Sequence, residues 1–186
     1  MTRIGESFPF IPNVRAEAVK ILRYPNPLLA QKAAPVERVE PETRAIVQRM
    51  MATMLMAPGF GLAAPQIGVM RRILTVDPGR IGNKRELSPL ALLNPSIAGA
   101  WENKTEEEGC LSLPGTYAPL ARPSRIRIEY MDLEWEPQTL DADGYLARCI
   151  LHEMDHLDGI LFWERLPIGE RALLKSKYFA RLTWLG

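Results

Sequence analysis

The clearest periodic pattern lies between residues 41 and 57, PETRAIVQRMMATMLMA. Its apolar side chains recur at a spacing of four, which places them on one face of a helix. They form two rows, Ile46-Met50-Met54 and Val47-Met51-Leu55. Because Pro41 suits a first helical turn and Pro58-Gly59 interrupts the pattern, we predict a helix here with this face buried.

Shorter apolar runs predict strands. They are RRILTVD (71–77), LALLNPSI (90–97) and RIRIEYMD (125–132). The last run alternates apolar and charged residues, as in a half-buried strand whose Ile126, Ile128 and Tyr130 face the core. Residues 18–25 suggest a short extended segment, and residues 26–33 suggest one or two helical turns.

A second helix is predicted from about Tyr145 to Asp158, after a turn at Asp143-Gly144 and before a left-handed stop at Gly159. A last amphipathic helix is predicted over residues 169–183. Strands before and after a central helix, without a repeating strand–helix alternation, favour the α+β class. Residues 1–17 show no periodicity, so we expect an irregular arm followed by one domain over residues 18–186.

Composition narrows the function. The chain has 186 residues, a formal net charge of +1 and 47% hydrophobic residues. We therefore expect no specific nucleic-acid partner. The absence of a run of about 18 apolar residues argues against a membrane span, and the first residues lack the apolar core of a secretory signal. Two cysteines favour a reduced compartment, so we expect a cytoplasmic protein, or an organellar one in a eukaryote.

The candidate chemistry lies in RCILHEMDHLDG (148–159), which holds both histidines of the chain. On a helix, His152 and His156 lie four residues apart on one face and could bind one metal ion. Glu153 could then reach a water molecule on that ion without being a ligand. The alternative is that both are ordinary structural histidines.

Two histidines leave a metal ion short of protein ligands, because catalytic sites usually have three. Cys149 shares the helix face with His152, whereas Cys110 lies in a turn-like stretch elsewhere in the chain. A ligand from another segment closes a tetrahedron more easily, but spacing alone does not choose between the two thiols.

Three motifs resemble the peptide deformylase family. They are GLAAPQIGV (61–69), EGCLSLPG (108–115) and HEMDHLDGILF (152–162). The resemblance covers about residues 18–166 and implies a peptide-deformylase-like fold, with antiparallel sheets packed around a central helix that carries the histidines. It also implies removal of the formyl group from the N-terminal N-formylmethionine of newly synthesised polypeptides.

The family further implies roles for individual residues. Cys110, His152 and His156 would hold one divalent metal ion, with Fe2+ the native ion and Zn2+ or Ni2+ possible after purification. Glu153 would be the general acid and base. Gln66 and the backbone N–H of Leu111 would hold the formyl oxygen.

We expect the substrate to bind beside this site as an extended strand. Its backbone would lie near Gly61 and Gly109, and Phe60, Tyr145 and Cys149 would form walls of a methionine pocket. The partners would be formylated nascent peptides and, transiently, the ribosome surface. The rival function is a metallopeptidase that cleaves internal peptide bonds, because such enzymes also use His-Glu-x-x-His.

Asp155, on the same buried helix, needs a partner, for which Arg122 and Arg148 are candidates.

Overall fold

The computed structural model describes residues 17–82 and 88–184. The helices are α1 (Pro41–Met56), α2 (Pro78–Gly82), α3 (Gly144–Leu157) and α4 (Ile168–Trp184). The strands are β1 (Gly61–Ala63), β2 (Ile73–Val76), β3 (Leu90–Cys110), β4 (Leu113–Met131) and β5 (Pro137–Asp143). The predicted arm lies outside the described residues except for Glu17, and the division into arm and domain stays a prediction.

The five strands form one antiparallel sheet in which chain neighbours are also sheet neighbours, in the order β1 to β5. The α+β class with antiparallel strands around α3 is confirmed. Strands β3 and β4 form a long ribbon that extends far beyond the predicted runs, with register shifts between Leu93 and Ser96 and between Ile97 and Gly99. Such irregularities bend a ribbon. The described part of the chain contains no helix of the length and apolarity needed to cross a membrane.

Helix α1 has the predicted position and almost the predicted buried face. The side-chain hydroxyl of Thr43 accepts a hydrogen bond of 3.3 Å from the backbone N–H of Glu40, which caps the first turn. Met50 and Met54 are fully buried against Leu62 and Ile73. The expectation for Leu55 was wrong: this side chain is 45% exposed, although Met54 beside it in the last turn is fully buried.

Helix α3 packs against β1, β2, β4 and β5, and its apolar face forms the main core with the sheet. The predicted stop at Gly159 is confirmed by its φ of 72°. A Cβ at this position would lie 2.7 Å from the carbonyl carbon of Ala30, so the close approach also requires glycine. The turn at Gly144 is confirmed by its φ of 53°.

The segment at residues 18–25 is not a regular strand, but it is held by long-range backbone hydrogen bonds. The N–H of Val19 donates to Oγ1 of Thr53 at 3.0 Å, and the N–H of Leu22 donates to the carbonyl of Gln66 at 2.7 Å. These two bonds tie the segment to α1 and to the 3-10 turn at Ala64–Ile67. Of residues 26–33, Pro27–Ala30 form a single 3-10 turn, and the predicted C-terminal helix is α4.

Candidate functional site

Helix α3 places the His-Glu-His turn in the interior. His152, Glu153 and His156 are 8%, 4% and 1% exposed, and the two imidazole rings lie 5.0 Å apart, centre to centre. The spacing of four residues brings the rings together because both project from one helix face. The reading of both as unrelated structural histidines is therefore not favoured.

The third member of the cluster is Cys110, at the end of β3. Its Sγ lies 3.2 Å from Nε2 of His156, and one ligand atom from each of Cys110, His152 and His156 lies within 4.8 Å of the others. One sulfur and two imidazole nitrogens suit a transition metal such as iron, zinc or nickel. The donor set therefore fits the implied metal ion.

Cys149 lies on α3 but outside this cluster. It is buried beside Glu153 and Gly61, and burial raises the pKa of its thiol well above the ordinary value. A thiol that stays protonated is a poor metal ligand, because the thiolate is the form that binds. Of the two thiols that the sequence left open, the geometry favours Cys110.

Glu108 is buried next to the ring of His152. Its Oε1 lies 2.7 Å from Nδ1 of His152, which leaves Nε2 of that ring for the metal ion. Burial opposes ionisation of Glu108, but hydrogen bonds from Arg122 and His152 outweigh it, so the pKa of this carboxyl lies well below its usual range. Arg148 donates a further bond of 2.9 Å. Two arginines thus keep a buried carboxylate charged behind His152, one of the three candidate metal ligands.

Of the two arginines predicted as candidate partners for Asp155, only Arg122 contacts its carboxylate. Nη1 of Arg122 lies 2.9 Å from its Oδ2, whereas Arg148 turns away to Glu108. Arg165 supplies the second partner through a bond of 2.7 Å from Nε. Arg122 therefore links the two buried carboxylates that flank the histidines.

Gln66 lies across the site from α3. Its Oε1 accepts a hydrogen bond of 2.8 Å from the N–H of Ala63, and its Nε2 lies 3.3 Å from Oγ of Ser112 and 4.0 Å from Sγ of Cys110. The acceptor end is thereby held by the backbone, and the donor end faces Cys110. Leu111, next to Cys110, lines the cavity that opens onto these groups and is described below.

Glu153 and His156 each have a buried polar atom without a hydrogen-bond partner among the described residues. In Glu153 this atom is Oε2, and burial raises the pKa of the carboxyl to about 7. A Cβ at position 61 would lie 2.7 Å from Oε1 of Glu153 and 2.7 Å from Sγ of Cys149. Gly61 therefore leaves open the space in front of this carboxylate.

A cavity of about 670 Å³ opens onto these groups. The structure brings together all five predicted pocket residues in its lining: Phe60, Gly61, Gly109, Tyr145 and Cys149. The rings of Phe60 and Tyr145 meet edge to face at 5.6 Å.

Sequence reasoning missed the roles of Glu108 and Arg148 in this lining. In the sequence, Glu108 is only the first residue of the motif around Cys110, and no role was predicted for it. A usable signal was its position two residues before Cys110, which puts both side chains on one face of β3. For Arg148, the signal was its place four residues before His152 on one helix face.

Comparison with known proteins identifies the family. The family model described as polypeptide deformylase matches residues 18–172. A peptide deformylase of Phenylobacterium zucineum is 42% identical over 165 residues, covering 87% of this chain and 96% of the relative. One from Rhizobium meliloti is 44% identical over 155 residues, covering 83% and 88%.

Solved structures agree with this match. The crystal structure of peptide deformylase from Ehrlichia chaffeensis has a TM-score of 0.81 and 32% sequence identity, covering 90% of this chain and 98% of that one. The family match extends over all three site motifs and over every described strand. The chain therefore belongs to the polypeptide deformylase family.

Proposed function

We propose that this chain removes the formyl group from N-formylmethionyl peptides, with Cys110, His152 and His156 holding a divalent metal ion and Glu153 moving the proton. The observation that carries this proposal is the buried, unpartnered carboxylate of Glu153 beside the three clustered ligand atoms. A metallopeptidase is not favoured, because the family match covers the whole site and its members are deformylases.

When bound, the metal ion would act as a Lewis acid and would make water a usable nucleophile near neutral pH. Glu153 takes a proton from the attacking water and returns it to the leaving amine. With a pKa near 7, this carboxyl can exist in both forms at the working pH. General acids and bases are most effective when their pKa lies in that range.

The formyl oxygen gains negative charge during the attack. Its donors are the side-chain amide of Gln66 and the backbone N–H of Leu111. The bond from the N–H of Ala63 fixes the amide of Gln66 before the substrate arrives, so little reorganisation is needed during the reaction.

The substrate enters as an extended strand beside β1, which is the first strand of the sheet and pairs only with β2 among the described strands. Backbone hydrogen bonds near Gly61 and Gly109 would hold it. The first side chain lies between Phe60, Tyr145 and Cys149. Gly61 keeps the space beside Glu153 open for the reacting group. We expect this buried site to take a formyl group, the smallest acyl group, in preference to bulkier ones.

Fe2+ is the ion that we propose for the native protein, with Zn2+ or Ni2+ as substitutes in purified material. We also propose that the reaction takes place in the cytoplasm, close to the ribosome surface from which the formylated nascent peptides emerge. An organelle would supply the same substrate.

A formate-release assay tests the proposal. The anaerobically purified protein, loaded with Fe2+, is given N-formyl-Met-Ala-Ser, N-acetyl-Met-Ala-Ser and a peptide blocked at both ends. We expect formate from the first peptide, no deacetylation of the second and no cleavage of the third. Internal cleavage of the blocked peptide without formate release would show a peptidase instead.

A further inference from the structure

The charged residues that line the cavity fall into two groups. Glu108, Arg148 and Glu153 form its interior and are only 4–6% exposed, and the first two are paired at 2.9 Å. Lys20 and Arg23 also line the cavity, but both are exposed. Among the residues that the structure describes, these two are the only exposed charged groups in the lining.

Lys20 and Arg23 are here called the basic rim. Within residues 17–82 and 88–184, neither makes an ion pair within 4.0 Å, although most other cavity charges are paired. Their positive charge is therefore available to a ligand in the cavity mouth.

The backbone beneath the basic rim is fixed in place. The N–H groups on either side of Lys20 and Arg23 bond to the core: Val19 to Thr53, Leu22 to Gln66, and Tyr24 to the carbonyl of Ser112 at 3.0 Å. Gln66 and Ser112 are themselves hydrogen-bonded neighbours beside Cys110. The backbone of the rim is thus anchored to residues beside Cys110.

We propose that the basic rim selects formylated peptides that carry Asp or Glu within the first few residues after the formylated one. The inference rests on the proposed function. When the formyl group lies at Glu153 in the buried interior, the following residues extend toward the exposed part of the lining, to which Lys20 and Arg23 belong. Acidic side chains there would meet two unpaired cations, whereas lysines would be repelled.

Three peptides test this selectivity: N-formyl-Met-Ala-Ser-Ser, and the same peptide with Asp-Asp or Lys-Lys in place of Ser-Ser. At low ionic strength we expect kcat/KM for the acidic peptide to exceed that for the basic peptide on the order of tenfold. At about 0.5 M salt the ratio should fall to about twofold, because exposed charges are screened.

Variants assign the effect to the rim. Lys20→Met with Arg23→Met keeps the apolar stems and should bring the ratio close to one, and the double change to Glu should invert it. The matched control is Arg49→Met with Lys177→Met, which removes an exposed arginine and an exposed lysine outside the cavity lining. This control should keep the wild-type ratio.

The neutral peptide distinguishes a failure of the proposed function from a failure of the inference about the rim. If it releases no formate, the proposed function fails. If the neutral peptide is deformylated but the acidic and basic peptides react equally in the wild type, the inference about the rim is overturned. The same holds if the control variant changes the ratio as much as the rim variant does. In both cases the proposed function stands.

Discussion

At the scale of the residue, Glu153 combines deep burial with an open position in front of its carboxylate. Replacing it with Ala or Gln should leave the metal content nearly unchanged, since Glu153 is not among the three clustered ligands. Formate release should fall at least about 100-fold, because in the proposed mechanism one group serves both proton transfers. Metal analysis and single-turnover kinetics measure the two effects. A loss below about tenfold would mean that another group moves the proton.

The same carboxyl should make the metal-free protein less stable at high pH. Its pKa is raised from 4.5 to about 7 in the folded state, so folding favours the protonated form. The stability is full below about pH 4.5 and is lost as the pH rises through 7, by about 3 kcal/mol in total.

Glu153→Gln cannot ionise and should remove this decline. Urea unfolding of the metal-free proteins at pH 5 and pH 8 checks it: the variant should gain stability relative to the wild type at pH 8 but hardly at pH 5. An equal difference at both pH values would contradict the assignment.

The two cysteines allow a matched comparison. Cys110→Ala should lose most of the bound metal and the activity, because it removes one of three ligands that approach within 4.8 Å of one another. Cys149→Ala should keep the metal, since this buried thiol lies outside that cluster. Metal content after dialysis distinguishes them. Retention of full metal by the first variant, or its loss in the second, would reverse the ligand assignment.

At the scale of the element, the end of α3 is set by one glycine. Gly159→Ala should lower the free energy of unfolding by about 1–3 kcal/mol, because φ is 72° and the new Cβ would approach the backbone of Ala30. Gly169→Ala in α4 is the control, since no atom lies within 4 Å of its added Cβ. Chemical denaturation measures both. The expectation fails if the two variants are equally stable.

The sequence predicts some elements much better than others. Helices α1 and α3 follow from their periodicity and terminal residues, because those signals are local. Much of the ribbon between Ser96 and Glu107 is exposed and charged, so it lacks the alternation that marks a strand; its pairing with β4 stabilises it instead. Strand β1 has only three residues, all buried, so it shows no alternation of apolar and polar side chains.

The candidate site shows the same division. His152, Glu153 and His156 are recognisable because one helical turn brings them together, and Cys110 and Gln66 because their motifs resemble a known family. The bonds from Arg148 to Glu108 and to the carbonyl of Leu120 join residues far apart in the chain. Such contacts depend on how α3 packs on the ribbon, which no local pattern encodes.

At the scale of the whole molecule, we expect the activity of the iron form to decay in air. Cys110 is a partly exposed thiol at the cavity, and its oxidation would remove a ligand. Reductant or anaerobic handling should preserve formate release, and the Ni2+ or Zn2+ forms should be stable in air, with Zn2+ the poorer catalyst. Activity followed over hours in aerated buffer measures this. An iron form indifferent to air, or equal turnover with Zn2+ and Fe2+ without oxygen, would contradict it.

The separation of the ligands along the chain has a consequence for unfolding. Cys110 and His156 are 46 residues apart, and β4, β5 and most of α3 lie between them. An ion that joins the end of β3 to α3 therefore closes a covalent-like loop, as a disulfide does, and restricts the unfolded chain for as long as it stays bound. Chelation would open that loop. Hydrogen exchange should then accelerate together across β4, β5 and α3, while α1, outside the loop, keeps more of its protection.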